Sequence, residues 1–225
     1  MGIFDLFRKK QQPQAPVPVP TTNRSVDGVE LVKKLEDIGF FKYTDPTALP
    51  KFKLEIANQL SDQYYCPDVD HYDSPSDLRH YFLDGEDLFE EGGILSSLKE
   101  MKPLFEKMNI QMEISDHFEQ YDVINSCLDH HITINGKKYI IFEKFEGYGW
   151  GEAAQRFADI INDQLQLQGT DERFYLILSG NDGRAVFLTD QQFDLLNSII
   201  ESRYEKPLKI HEWCELNQVT YYQVC

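Results

Sequence analysis

No run of about 18 apolar residues occurs anywhere in the 225-residue chain, so nothing in it has the length and apolarity of a membrane-spanning helix. The start of the chain also lacks the long apolar stretch and small-residue cleavage site of a secretory signal, and the expectation is a soluble, cytoplasmic protein. Cysteine is sparse. Cys66, Cys127, Cys214 and Cys225 lie far apart without a CxxC pair, which argues against a disulfide framework and leaves reduced thiols as the expectation. Basic residues are few as well: 22 Lys and Arg face 38 Asp and Glu, for a net charge of -16. Such a surface repels phosphate, so nucleic acid is set aside as a partner.

What is present is a core. Residues of the aliphatic, aromatic and cysteine set make up 41% of the chain, with 15 Phe and 12 Tyr, and this excludes global disorder. Residues 1–24 stand apart, with Arg8, Lys9, Lys10 and Arg24 against a single acid, Asp5. Ile3, Phe4, Leu6 and Phe7 beside that basic run suit weak contact of residues 3–10 with an anionic lipid surface, and the proline-rich stretch that follows suits a tether. So short a helix is marginal in water, so disorder is expected for 1–24. Leu6 stands where a myristoylation signal needs Ser or Thr. Residues 25–225 read as one α+β domain, with a division into a helical part 25–108 and a hairpin-helix part 109–225 as the alternative.

The periodicity predicts a helix opened by Asp27 with Glu30, carrying Leu31, Leu35 and Ile38 and stopped by Gly39. A second, with Leu49, Phe52, Ile56 and Leu60, tolerates Pro50 only in its first turn, and the two are expected to pack as a hairpin. Residues 61–77 read as a long polar loop, followed by a short strand around Tyr81–Leu83. A helix over Ile94–Met108 contains the awkward Pro103, and the alternation of Ile110, Met112 and Ile114 predicts a strand. Asn135-Gly136 predicts a tight β-hairpin. Beyond it come a helix over 152–166, strands over 173–179 and 184–188 joined by a GNDG turn, and a helix opened by Thr189 with Gln192. The sum is an α+β fold, a mostly antiparallel sheet built from hairpins with helices on one face.

No motif names a reaction, and no cofactor is expected. Cys127-x-x-His130 and His211-x-x-Cys214 are together a sufficient tetrahedral set for zinc, but residues three apart on a strand face opposite ways, so no metal is assigned to them. A cysteine nucleophile would have to draw on Cys66 with His71 or on Cys127 with His131, and neither has a flanking oxyanion motif. Asp68, Asp70 and Asp73 lack the glycine order of a calcium loop. Gly147, Gly149 and Gly151 stand where a phosphate loop would, with the wrong spacing and with Glu146 and Glu152 on either side.

Two features point instead to protein binding. Tyr148 and Trp150 are large amphipathic groups set among glycines, of the type enriched at interaction hot spots. Asp84, Glu86, Asp87, Glu90 and Glu91 concentrate negative charge suited to steering a basic protein partner. In size, charge and lack of a catalytic motif the chain is similar to the acidic immunity proteins that bacteria keep against basic toxins, although no signature residue carries that likeness. The expected function is therefore a non-enzymatic protein-binding module. The alternatives are a small metal-dependent or cysteine hydrolase and a membrane-surface adaptor tethered by its first residues.

Overall fold

The structure, a computed structural model, describes residues 27–67, 76–178 and 183–224. The N-terminal segment 1–24, the candidate ligands Asp68, Asp70, His71 and Asp73, most of the GNDG turn, and Cys225 lie outside the described residues.

Helix α1 (Gly28–Asp37) begins where the side chain of Asp27 accepts hydrogen bonds from the backbone N–H groups of Val29 and Glu30, satisfying donors that a helix start leaves open. A short 3-10 turn, Phe40–Tyr43, leads to α2 (Leu49–Ser61), with Pro50 in the first turn as the sequence requires. Leu31, Leu35, Phe52, Ile56 and Leu60 are buried, and the two helices pack against each other. Then follow β1 (His80–Phe82), α3 (Gly85–Phe89) and α4 (Gly93–Met108), which runs through Pro103 without ending.

The expected strand around Ile110–Ile114 starts later: β2 spans Ile114–Asp122. Ile110 instead closes α4 by donating its N–H to Phe105 O, and Gln111 N–H is taken by the side chain of Gln168, so the backbone finds partners other than a ladder. Strands β3 (Cys127–Ile134) and β4 (Lys137–Glu146) join through Asn135 and Gly136, at φ 51° and 79°, the left-handed pair that a two-residue hairpin demands. Helix α5 (Trp150–Leu167), β5 (Glu172–Ile177), β6 (Arg184–Thr189), α6 (Asp190–Ile199) and α7 (Ile210–Asn217) complete the chain. Thr189 and Gln192 form the reciprocal capping box at the start of α6.

The fold is α+β, with two antiparallel three-stranded sheets in the orders β1-β6-β5 and β2-β3-β4. Because β1 pairs with β6, segments 25–108 and 109–225 share one sheet. That sheet is covered on both sides. Tyr175, Ile177, Val186 and Leu188 pack with the apolar stripes of α1, α2 and α6, whereas Phe174, Leu176, Ala185 and Phe187 belong to the core shared with α4, α5 and the second sheet. The β2-β3-β4 sheet buries Ile132, Ile134, Tyr139 and Ile141 in that same core and leaves its edge strand β2 largely exposed.

Arg79, with no exposed surface, anchors β1. Its guanidinium donates to Glu172 Oε2 at 2.8 Å, Phe187 O at 2.8 Å, Phe40 O at 2.6 Å and Gly39 O at 3.3 Å, tying the 3-10 turn to β5 and β6. Beside it, buried Asp77 accepts from Thr44, from Arg79 N and from His80, whose other ring nitrogen bonds Tyr65. β1 leaves this framework directly into Asp84.

Candidate functional site

Asp84 caps α3 by accepting the N–H of Glu86 at 2.7 Å, so it also has a structural role. The next acids point outward: Asp87, Glu90 and Glu91 are exposed and Glu86 half-buried. Asp84, Asp87, Glu90 and Glu91, with Glu100 and the backbone of Gly92 and Gly93, line an open groove of about 240 Å³. Burial and the charge of Asp87 both raise the Glu100 carboxyl above its usual range, as expected where like charges face one another.

The second sequence feature lies alongside. A Cβ on Gly85 would fall 2.7 Å from Trp150 O, and one on Gly149 would fall 2.8 Å from the Phe89 ring, so α3 and the start of α5 touch through positions where only glycine fits. Tyr148 is 87% exposed and Trp150 37%, their rings edge to face with centroids 6.2 Å apart. Segments some sixty positions apart in the chain are thus brought together where α3 meets the start of α5. Phe145 and Phe89 close on Gly149 and Val219 closes on Gly151, so these two glycines serve packing, whereas Gly147 is needed for its φ of 100°.

The four residues of the considered zinc set do not converge. Cys214 is buried in α7 beside Asp159, and His211, on the same helix, packs its ring against Tyr221 at a tilt, with centroids 3.8 Å apart. Cys127 and His130 share β3, but the bulges on either side of His130 do not bring Cys127 into a ligand group. Nor are the buried thiols nucleophiles in waiting: burial pushes Cys214 up to about 12, and burial with Asp122, Asp129 and Glu146 raises Cys127, the reverse of what thiolate chemistry needs. His131 bonds Asp116 and stacks on Phe118 on the outer side of the sheet.

His130 has different company. Glu119 stands directly opposite it in the β2–β3 register, and His117 lies two residues before Glu119, on the same face. One nitrogen from each imidazole and one carboxylate oxygen lie within 4.8 Å of one another, the one such group of three among the described residues. His117 Nε2 and His130 Nε2 are hydrogen-bonded at 3.0 Å, so one ring keeps a proton there while the other offers a lone pair. The Glu119 carboxylate is 3.8 Å from His117 and 3.6 Å from His130, and its Oε2 accepts the N–H of Gly92 at 2.9 Å, on the wall of the acidic groove. Burial, then His117 and His131, push His130 down to about 4. Burial raises Glu119 against the Gly92 hydrogen bond and the His117 charge.

Sequence reasoning missed His117 and Glu119 because β2 lacks apolar alternation. The available signal was polar: a His-x-Glu step occupying inward positions opposite a buried His130. No helix among the described residues is long and apolar enough to cross a membrane. Comparison with protein-family models, with curated proteins and with solved structures returned no match.

Proposed function

We propose that this chain is a non-enzymatic protein-binding module, acting in the cytoplasm, that docks a basic protein through the face formed by Asp87, Glu90 and Glu91 and by Tyr148 and Trp150. The observation that carries this reading is the juxtaposition of an acidic groove with two exposed aromatic rings, fastened together at Gly85 and Gly149. The division of labour follows from the chemistry. The carboxylates raise the rate of encounter with a positively charged surface and reject acidic competitors. The aromatic pair supplies rigid apolar area whose burial holds the complex together. A lysine or arginine side chain of the partner, placed in the groove, would relieve the repulsion between Asp87 and Glu100. An immunity-type inhibitor, whose carboxylates occupy the basic cleft of a toxin, is the particular form that fits size and charge.

The test uses the full chain as bait alongside two variants, Trp150→Ala and the triple change Asp87→Asn, Glu90→Gln, Glu91→Gln. The expected result is a basic protein retained by the wild type at low salt, released as salt shortens the Debye length below about 10 Å, and weakened by both variants when affinity is measured with the isolated partner. A partner bound equally by all three, or indifferent to ionic strength, would overturn the reading.

A further inference from the structure

We propose that His117, Glu119 and His130 form a binding site for a divalent transition metal of the zinc class, which would clamp the edge strand β2 to β3 beneath the acidic face.

The donor set fits the ion. Two imidazoles and one carboxylate are borderline donors that suit zinc, cobalt or nickel, and they form a three-ligand set that leaves a fourth position for water. The spacing fits as well. Ligands 2.0–2.1 Å from a tetrahedral zinc lie about 3.3 Å apart, and one donor atom from each of the three residues lies within 4.8 Å of the other two here, so side-chain rotations without backbone movement close the cage. The backbone supplies the arrangement without strain. His117 and Glu119 share a face because they are two apart on a strand, and register places His130 opposite Glu119.

The surroundings support the same conclusion. The side chains of His130 and Glu119 are 2% and 7% exposed, and that of His117 19%, so the ion would have one route to solvent, on the His117 side. Gly92 N–H holds Glu119 Oε2 from behind, the kind of outer partner that orients a ligating carboxylate. Glu91 adds negative potential nearby, which favours a cation. A metal would also answer a question that the edge strand raises: most of β2 is exposed, and its inward positions carry these polar groups where an apolar residue would otherwise provide adhesion.

The experiment is a titration of the chelator-treated full-length protein with Zn²⁺ and, separately, Co²⁺, followed by calorimetry and by visible absorption of the cobalt form. Saturation at one equivalent, with the intense bands of a four-coordinate cobalt centre, is expected for the wild type. His117→Ala and Glu119→Gln should each weaken binding by at least about 100-fold. Circular dichroism checks that both stay folded; His117 is the most exposed of the three ligands and the safest to remove. Absence of saturable binding to the wild type overturns the site whatever the variants do. Binding that survives unchanged in folded variants places the metal elsewhere, on the His71 loop or on Cys127, His211 or Cys214, and equally overturns it.

Discussion

Replacing Arg79 by Met is the sharpest test of how β1, and with it the acidic turn, is held. The side chain has no exposed surface, and its partner Glu172 is 1% exposed. Removing the guanidinium leaves that carboxylate in the interior with only Lys42, 3.1 Å away and half exposed, as counter-charge. It also leaves Phe40 O, Phe187 O and Gly39 O without this donor. Breaking a buried pair from one side costs about 3–5 kcal/mol. For a chain of this length each kcal/mol moves the melting temperature by about 2–4 °C, so Arg79→Met should melt about 12 °C below wild type. The double variant Arg79→Met with Glu172→Gln removes both charges and should regain about half of the loss, since a matched neutral pair avoids the stranded ion. Calorimetric or circular-dichroism melts in one buffer decide the matter. A drop smaller than about 3 °C would refute the premise that the pair is dry and continuous. A double variant no better than the single would shift the cost from the stranded charge to the lost carbonyl partners and packing.

Two further predictions concern pH. Burial raises Asp77, but the hydrogen bonds from His80, Thr44 and Arg79 N outweigh it and hold the carboxyl below its ordinary value, so its stabilising contribution is complete above the unfolded value near ~4 and disappears as pH falls below that. Asp77→Asn should therefore cost about 2 kcal/mol at pH 7 and much less at pH 3; urea midpoints showing an equal cost at both would count against this network. Asp159 behaves oppositely: burial pushes it up to about 6 against the hydrogen bonds of Tyr221 and Gln155. Its contribution is full below about pH 4 and is lost as pH rises through about 6, so Asp159→Asn should flatten the fall in stability over that interval. A variant that keeps the wild-type slope would show that another group is responsible.

The helices and hairpins were legible because their causes are local. Asp27, Pro50, Thr189 with Gln192, and Asn135-Gly136 act on backbone groups within four residues, and each sits where its spacing placed it. β2 was not legible. Its inward positions are His and Glu, so a period-two search for apolar residues passes over it even though it pairs with the very next strand, β3.

The candidate sites divide in the same way. Sequence alone was enough to single out Asp84–Glu91 as a dense negative charge, and Tyr148 and Trp150 as aromatics on a glycine-rich turn, because charge and residue type are properties of the chain itself. Only tertiary structure decided that these two features are neighbours, through the close approach of Gly85 to Trp150. Only tertiary structure replaced the Cys127, His130, His211 and Cys214 grouping with His130, His117 and Glu119. The physical reason is the same in both cases. A binding site is a set of distances between side chains, and those distances are set by how strands register and helices pack, which spacing along the chain does not encode.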